Sequence, residues 1–356
     1  MRVLQLIDTL EAGGAERVAV NLANTLSTKI TASFLCATRK EGALKSTVKE
    51  EVKYLFLNRI STIDVKAIRL LNTYVKHNKI SLIHAHATSF FIATIIKCLN
   101  PKIKLIWHDH YGESEFLSKR PKAILKICSK FFNHIFSVNN QLVNWARLHL
   151  HASSVSYLSN YAELDTISLQ TQLKGVVNKR VVCLANLRPQ KDHVTLIKAF
   201  KKVSKTYPDW SLHLVGQNFK DEYSKSIISL IEKYQLSNTV FIYGSCLDIS
   251  AILNACNIGV LSSKSEGLPL ALIEYALAGL PVVATNVGDC NLVISNRKYG
   301  QLIPSEAILE LQNAIEFYIK YPEKAKLTAK SLHQKVKEDF SKETTIHKLM
   351  SIYKTI

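Results

Sequence analysis

The 22 residues that follow Glu266 constrain the fold of this chain more than any other stretch, because they contain one charged side chain, Glu274. Pro269 suits the first turn of a helix and Gly279 suits its C-terminal end, so we expect one short helix and then a strand over 282–285. Glu274 would lie more than a turn inside a largely buried helix. An unpaired carboxylate there would cost roughly several kcal/mol, so hydrogen-bond donors such as two ligand hydroxyl groups must meet it.

Both halves of the chain repeat an apolar strand, a turn and an amphipathic helix, which predicts two α/β domains with parallel sheets. In the first half the predicted strands are 3–7, 32–37, 54–57, 82–84, 104–107, 135–138 and 155–158. In the second half they are 181–185, 211–215, 240–243, 258–261, 282–284 and 300–303. We expect domains at 1–165 and 166–335, and a helix at 336–356 that packs back towards the first domain. Ligands should bind at the carboxyl ends of the strands.

Length and composition fit a globular protein of two domains, since the chain has 356 residues and 47% hydrophobic content. The seven cysteines are scattered and include no Cys-x-x-Cys pair, so neither a disulfide framework nor a zinc knuckle is expected. No apolar run approaches the length of about 20 residues that a membrane span requires. These features predict a cytoplasmic protein.

The net charge of +18 predicts a polyanionic neighbour, and nucleic acid, anionic lipid and phosphorylated small molecules are all candidates. The segment 118–132 has no acidic residue and mixes aliphatic and aromatic side chains with cations. Its cations are Lys119, Arg120, Lys122, Lys126 and Lys130. Such a segment is typical of a helix on an anionic membrane surface, although a solvated helix face has the same pattern. Nucleic acid is not expected, because no patch interleaves basic residues with exposed aromatics.

Two pairs of histidines follow predicted strands of the first half. His84 and His86 end the fourth strand, and His108 and His110 flank Asp109 after the fifth. Histidines spaced by two could offer metal ligands, but no further carboxylate or cysteine cluster completes a coordination shell, so we expect no metal.

Glycines and cations follow the other strand ends. Gly13 and Gly14 lie between the first strand and a helix, where they could let the backbone approach a ligand or could serve backbone geometry alone. Arg188 and Lys191 follow the first strand of the second half, where they suit a diphosphate group, although such a pair is also common as solvated charge. Gly216 follows the next strand.

The block Ser265-Glu266-Gly267-Leu268-Pro269, with Glu274 after it and Ala-Gly-Leu-Pro-Val-Val-Ala-Thr over 278–285, resembles the signature of the group 4 glycosyltransferases. The resemblance extends from residue 8 to residue 300. It implies the GT-B fold, in which two Rossmann-like doubly wound parallel-sheet domains face each other across a cleft. It also implies that Glu266 contacts the donor sugar and phosphates, and that Glu274, after seven intervening residues, contacts the ribose.

The same resemblance implies roles for residues of the other loops. Gly13 and Gly14 would face the donor phosphate and the acceptor. His108, in the His-Asp dipeptide, would approach the donor sugar, and His110 is a competing candidate. His84 and His86 could equally be rim residues. Gly216 matches a turn near the nucleotide.

The chain departs from the family pattern at two loops. Asn186 stands where most members have an arginine, and Arg188 lies two residues later, while Lys191 keeps its match. Arg188 either replaces the missing arginine or is solvated. The loop 286–289 resembles a family loop, but the glutamate that usually follows is absent, which leaves that loop's role open.

The resemblance therefore implies a retaining glycosyltransferase that moves a hexose from a UDP- or GDP-linked sugar to a hydroxyl of a glycan or lipid-linked acceptor. Exopolysaccharide, capsule or lipopolysaccharide synthesis at the cytoplasmic face of the inner membrane would use such an enzyme. It would need no cofactor or metal. The expected catalytic residues are His108, Arg188, Lys191 and Glu266, and the expected binding residues are Gly13, Gly14, Gly216, Gly267, Leu268 and Glu274.

Three other functions stay open at this point. An epimerase or phosphorylase could share the architecture, although the spacing of the two glutamates disfavours an epimerase. A catalytically impaired relative that only binds nucleotide sugar would fit Asn186. A basic nucleic-acid-binding protein would fit the net charge.

Overall fold

A computed structural model describes residues 1–164 and 167–356 of the chain. They form two compact units, one of Met1–Asn160 with Ile346–Ile356 and the other of Tyr161–Thr345. The domain boundary that we predicted between residues 165 and 166 lies outside the described residues.

The first unit contains a seven-stranded parallel sheet in the order β3-β2-β1-β4-β5-β6-β7. Its strands are β1 (Arg2–Thr9), β2 (Ala32–Lys40), β3 (Lys53–Phe56), β4 (Leu82–His86), β5 (Lys104–Asp109), β6 (His134–Ser137) and β7 (Val155–Tyr157). Its helices are α1 (Gly14–Leu26), α2 (Val65–His77), α3 (Phe90–Leu99), α4 (Ala123–Cys128) and α5 (Asn140–His149). Helices α2 to α5 share one apolar core with the sheet, while α1 belongs to a second core with β1 and β2. The strands are apolar on both sides because helices cover both faces.

The second unit contains a six-stranded parallel sheet in the order β10-β9-β8-β11-β12-β13. Its strands are β8 (Arg180–Leu184), β9 (Ser211–Val215), β10 (Val240–Gly244), β11 (Ile258–Leu261), β12 (Val282–Thr285) and β13 (Gln301–Ile303). Its helices are α6 (His193–Thr206), α7 (Glu222–Lys233), α8 (Ile249–Asn254), α9 (Leu270–Leu277), α10 (Cys290–Val293), α11 (Ile308–Lys320) and α12 (Pro322–Asp339). The last helix, α13 (Lys342–Thr355), begins in this unit and belongs to the first unit from Ile346 onward.

The two doubly wound sheets confirm the predicted fold class, and each predicted strand overlaps an observed one. Strand order reverses between β1 and β4 in the first sheet and between β8 and β11 in the second. At such a switch point the two adjacent loops diverge and leave a crevice at the carboxyl ends of the strands. None of the helices in the described residues is long and apolar enough to cross a membrane.

The predicted helix after Glu266 is α9, in which Pro269 is the N-cap residue rather than part of the first turn. At its other end Gly279 has φ +72°, and its amide donates to the carbonyl of Ala276 at 3.1 Å. The amide of Leu280 donates to the carbonyl of Tyr275 at 3.0 Å. This pair of bonds is a Schellman motif, which requires a left-handed residue and explains the glycine.

Candidate active site

An ion pair lies at the switch point of the second sheet. Lys191, in the loop after β8, donates through Nζ to Oε1 of Glu266, in the loop after β11, at 2.6 Å. The hydroxyl of Ser263 donates to the same carboxylate oxygen at 2.6 Å. Glu266 is buried and Lys191 is partly exposed, so a buried carboxylate holds the ammonium in place.

Further hydrogen bonds tie these two loops together. The hydroxyl of Ser262 donates to the carbonyl of Lys191 at 2.9 Å, and the amide of Lys264 donates to the carbonyl of Gln190 at 2.7 Å. Loops that are bonded at several points hold their side chains with little freedom, which is the condition for binding a charged group without reorganisation.

Gly216 lies where the loop after β9 passes close to the loop after β8. Its φ is +153°, and a Cβ atom there would overlap the carbonyl group of Ala185, so only glycine fits. Next to it, the amide of Gln217 donates to Oδ1 of Asn186 at 2.8 Å, and the amide of Leu187 donates to the carbonyl of Gln217 at 2.9 Å. Asn186 therefore holds the two loops together in the place where the family pattern has an arginine.

Arg188 is exposed, and its guanidinium lies 4.7 Å from the ring centroid of Phe219. The two predicted cations therefore have different surroundings. Lys191 is held by Glu266, whereas Arg188 lies against the ring of Phe219, from the loop after β9.

Gly267, Leu268 and Glu274 lie on the segment that leads into α9 and on the helix itself. Leu268 and Glu274 are buried, in agreement with the predicted buried helix. The loop after β12 packs against this segment, because the amide of Asp289 donates to the carbonyl of Gly267 at 2.9 Å. Gly288 has φ +53°, and a Cβ atom there would overlap the carbonyl oxygen of Glu266.

Asp289 is a titratable group that sequence reasoning left without a role. Burial raises the pKa of its carboxyl group to about 6, and its Oδ2 atom is buried with no hydrogen-bond partner among the described residues. Unpaired buried carboxylate oxygens are rare and costly. The loop 286–289 therefore carries a carboxyl group, although the glutamate of the family pattern is absent.

Sequence reasoning also missed Ser263 and His193. The signal for Ser263 was its place directly after β11, three residues before Glu266. His193 begins α6; its Nδ1 lies 3.3 Å from the hydroxyl of Tyr223, and its Nε2 has no partner among the described residues. Burial lowers the pKa of His193 to about 4.

In the first unit, four histidines stack at the carboxyl ends of β4 and β5. The ring centroids of His84 and His86 are 4.5 Å apart, and those of His108 and His110 are 4.0 Å apart. His86 pairs with His108 in the sheet register, which brings the two strands' histidines side by side. Burial lowers the pKa of His84, His86 and His108 well below the usual value, and that of His110 to about 3.

A chain of hydrogen bonds fixes the tautomers of these neutral rings. Gln5 Nε2 donates to the hydroxyl of Tyr353 at 3.3 Å, so Gln5 Oε1 accepts from Nε2 of His86 at 2.7 Å. His86 Nδ1 is then an acceptor, and Nε2 of His110, 3.0 Å away, must be its donor. At the other end, the hydroxyl of Tyr353 is hydrogen-bonded to Nδ1 of His84 at 2.5 Å. His110, which is partly exposed, is left with its Nδ1 lone pair as an acceptor.

His108 is 1% exposed, and neither of its ring nitrogens has a hydrogen-bond partner among the described residues. The nitrogens of His84, His86 and His108 lie within 4.8 Å of one another, which is a possible metal-ligand set. The ring of His84, however, is stacked on the rings of His86 and His108, at interplanar angles of 15° and 20°. A metal in the plane of one ring would lie well out of the plane of the next, so this arrangement suits stacking better than coordination.

The glycine turn after β1 is built around a carboxylate. The hydroxyl of Thr9 donates to Oε1 of Glu16 at 3.1 Å, and a Cβ atom on Gly13 would overlap the other oxygen of Glu16. Gly14 is the first residue of α1. Nearby, Asp8 accepts from Arg59 at 3.0 Å and from the hydroxyl of Thr88 at 2.6 Å, which joins the loops after β1, β3 and β4.

Of the five cations that we predicted to face a membrane surface, the four lysines are exposed, but the prediction is wrong for Arg120. Arg120 is buried, and its guanidinium donates to both carboxylate oxygens of Asp109, at 2.7 and 2.8 Å. It is also enclosed by the rings of Tyr111 and Trp145, at 4.3 and 4.1 Å. A buried carboxylate needs a partner, and this need outweighs the solvation that a surface arginine would keep. The segment contains one short helix, α4, flanked by 3₁₀ turns.

Two family models match this chain, and together they cover most of it. The family described as Glycosyltransferase Family 4 matches residues 12–164, and the family described as Glycosyl transferases group 1 matches residues 170–334.

Among curated relatives, an uncharacterized glycosyltransferase of Haemophilus influenzae is 23% identical over 322 residues, which is 88% of each chain. The UDP-Gal:alpha-D-GlcNAc-diphosphoundecaprenol alpha-1,3-galactosyltransferase of Escherichia coli is 24% identical over 78% of this chain and 77% of its own length. Among solved structures, Anabaena Alr3699/HepE in complex with UDP and glucose superposes over the whole of both chains with a TM-score of 0.84 at 18% identity.

Proposed function

This chain belongs to the group 4 glycosyltransferases of the GT-B fold, and from that premise we propose that it moves a hexose from a nucleoside diphosphate sugar to a hydroxyl group of a glycan or lipid-linked acceptor, with retention of configuration. Membership of the family supports glycosyl transfer as the type of reaction. The donor, the sugar, the acceptor and the stereochemistry belong to the proposal.

The Lys191–Glu266 ion pair is the observation that carries this proposal. It lies at the switch point of the second sheet, directly before the segment that leads into α9. The ammonium of Lys191, with the guanidinium of Arg188, would stabilise the diphosphate as it gains charge on leaving. Glu266, with the amides of Gly267 and Leu268, would hold the sugar and the phosphates, and Glu274 would accept from the ribose hydroxyls.

The remaining chemistry needs no dedicated nucleophile. We assign the base that activates the acceptor hydroxyl to the departing phosphate, in keeping with the family resemblance. His108 would hydrogen-bond the donor sugar, with His110 as the competing candidate. The unpaired ring nitrogens of His108 support this role, because a buried imidazole without partners gains most from a ligand. Gly13, Gly14 and Gly216 would let the backbone approach the donor.

The comparisons favour UDP over GDP as the donor nucleotide. The Escherichia coli relative is named for UDP-Gal and for an acceptor on diphosphoundecaprenol, and the Anabaena structure holds UDP and glucose. These support a UDP-hexose donor and an acceptor carried on a lipid, as in the synthesis of surface polysaccharide at the cytoplasmic side of the inner membrane. The proposal includes no metal and no cofactor.

A thermal-unfolding titration with UDP, GDP, ADP and their hexose conjugates tests the donor. We expect saturable stabilisation by UDP and UDP-hexoses, because a ligand that binds only the native state raises its stability. Glu274→Gln should remove most of that stabilisation, while Glu310→Gln, an exposed residue of α11, should keep it. If no nucleotide stabilises the protein at millimolar concentration, the proposal is wrong.

Turnover separates the enzyme from a catalytically impaired binding relative, the second candidate that Asn186 favours. Labelled hexose should pass from UDP-hexose to a lipid-linked glycan, and the anomeric configuration of the product should equal that of the donor. Binding without transfer to any acceptor of a broad panel would instead support the impaired relative.

A further inference from the structure

The outer side of helices α2, α3 and α4 forms one surface of the first unit. Helix α2 lies against α3, and α3 lies against α4. Their inward residues, among them Leu71, Ile92 and Leu125, belong to the same core on one face of the sheet. The three helices therefore make a single layer, which we call the α2–α4 face.

Aliphatic side chains project into solvent on this face. Ile63 is 66% exposed in the loop before α2, and Ile127 is 64% exposed on α4. The other exposed apolar residues of these elements are Ile60, Val65, Leu70, Leu99, Ile124 and Phe131. Single exposed aliphatics are common, but a set on one helical layer marks a surface that contacts something apolar.

The loop before α2 holds its isoleucines in a fixed conformation. Asp64 accepts from the amide of Ala67 at 3.0 Å and from that of Ile60 at 3.3 Å, and Arg59 donates to the carbonyl of Thr62 at 3.3 Å. Because this loop is already ordered, burying Ile60 and Ile63 against a partner would cost little conformational entropy.

Cations dominate the same part of the chain. Residues 60–162 contain thirteen Lys and Arg against four acidic residues, a net charge of +9 within the chain's +18. Of those acids, Asp109 is buried with Arg120. On the α2–α4 face, Lys66 and Arg69 of α2 and Lys126 of α4 are exposed.

We propose that the α2–α4 face docks on an anionic phospholipid bilayer, with Ile63 and Ile127 inserted between headgroups and Lys66 and Lys126 on lipid phosphates. Exposed aliphatics beside lysines suit the interface of a bilayer, whereas single-stranded nucleic acid would need exposed aromatic rings. The inference deepens the proposed function, because a lipid-linked acceptor would lie in that bilayer. It rests on the proposed function for this biological role, whereas the vesicle binding itself does not depend on glycosyl transfer.

Co-sedimentation of the full chain with vesicles, without any nucleotide sugar, tests the surface. We expect binding to vesicles of phosphatidylcholine mixed with phosphatidylglycerol, weaker binding at high salt, and none to phosphatidylcholine alone. The double variant Lys66→Ser, Lys126→Ser should lose about tenfold or more in vesicle affinity. The double variant Ile63→Ser, Ile127→Ser should lose about as much.

Matched controls come from exposed residues of the second unit. Lys330→Ser with Lys337→Ser, and Leu309→Ser with Leu327→Ser, should bind vesicles within about twofold of the unaltered chain. Stabilisation by UDP-hexose, measured on the same variants, should stay unchanged. Absence of vesicle binding would therefore count against the docking surface alone, and absence of stabilisation by UDP-hexose would count against the proposed function.

Three results would overturn the proposal. One is equal binding to neutral and anionic vesicles, and another is an equal loss in the control variants. The third is tighter binding to DNA than to vesicles that is lost in the lysine variant and kept in the isoleucine variant, which would assign the face to nucleic acid.

Discussion

At the scale of single residues, Tyr353 connects distant parts of the first unit. Its hydroxyl accepts from Gln5 and is hydrogen-bonded to His84, and Gln5 in turn accepts from His86. The bond from Gln5 to the phenol orients the Gln5 amide, and this orientation fixes the direction of the bonds from His110 to His86 and from His86 to Gln5. The residue thus acts on the histidines of the candidate site through hydrogen bonds to Gln5 and His84.

We expect Tyr353→Phe to lower the free energy of unfolding by about 1–3 kcal/mol, because it leaves Gln5 and Nδ1 of His84 unpaired in a buried place. It should also release the tautomers of His86 and His110. Nitrogen chemical shifts of the histidine rings measure the tautomers, and urea unfolding measures the stability.

Tyr234→Phe is the matched control for that change, since Tyr234 is a partly buried tyrosine of the second unit, away from the histidines of the first. It should leave both measurements unchanged. Unaltered histidine shifts in Tyr353→Phe would contradict the directed chain of hydrogen bonds.

The site residues show what sequence can and cannot predict. The apolar block with one glutamate and two bounding residues predicted α9 and its buried Glu274, because that information is local. The partner of Glu266 is Lys191, 75 residues away, and the partner of His84 is Tyr353, 269 residues away. No local pattern links such pairs. Arg120 was misplaced for the same reason, since its partner Asp109 and its two flanking rings come together only in the fold.

At the scale of elements, the loop after β12 supports the segment that holds Glu266. Gly288 permits the close approach of the two backbones, and the amide of Asp289 donates to Gly267. The loop after β12 therefore helps to set the positions of Glu266 and Gly267.

Gly288→Ala should weaken the binding of UDP-hexose by about tenfold or more, because the new Cβ atom would displace the backbone of Glu266. Gly279→Ala is the matched control: Gly279 also has positive φ, but no heavy atom lies within 4 Å of a Cβ atom there. It should cost about 1 kcal/mol in stability through backbone strain alone and leave the affinity intact. Calorimetric titration and urea unfolding check both, and equal affinity losses in the two variants would contradict the support role of the loop.

The strands were predictable because parallel strands that are covered on both faces read as continuous apolar runs between polar turns. The segment 118–132 was not, since its cations and apolar residues suggested one amphipathic helix. The helix observed there is α4 alone, Ala123–Cys128, and Arg120 lies before it in a buried pair with Asp109. A tertiary contact overrode a local periodicity.

At the scale of the whole molecule, buried neutral histidines make stability depend on pH. Burial lowers the pKa of seven of them in the folded chain, and these are His84, His86, His108, His110, His134, His193 and His213. The unfolded chain, in which a histidine titrates near the ordinary value of about 6.5, binds more protons below that pH than the folded chain does. The neutral histidines therefore make their full contribution to the free energy of unfolding above the unfolded-state pKa of about 6.5, and this contribution is lost as the pH falls below that pKa.

We expect the free energy of unfolding to fall steeply between pH 7 and pH 5, by about 1.4 kcal/mol per pH unit for each buried histidine once the unfolded value is passed. Asp289 acts in the opposite direction, because burial raises its carboxyl pKa to about 6 and the folded chain holds that proton more tightly. Urea unfolding at a series of pH values gives the net slope.

His110→Gln should reduce that slope by about one proton, while His151→Gln, on an exposed residue, should leave it as it is. A stability that does not change between pH 7 and pH 5 would show that these rings are not held neutral.

The path of the chain has a consequence for biosynthesis. Residues 346–356 belong to the first unit, yet the ribosome makes them only after the whole of the second unit has been translated. The nascent first unit therefore waits, with His84 and Gln5 lacking the phenol that joins them, while its neighbour emerges and folds. The bonds from Gln5 and His84 to Tyr353 can therefore form only after residue 353 has been translated, which places them late in the assembly of the first unit.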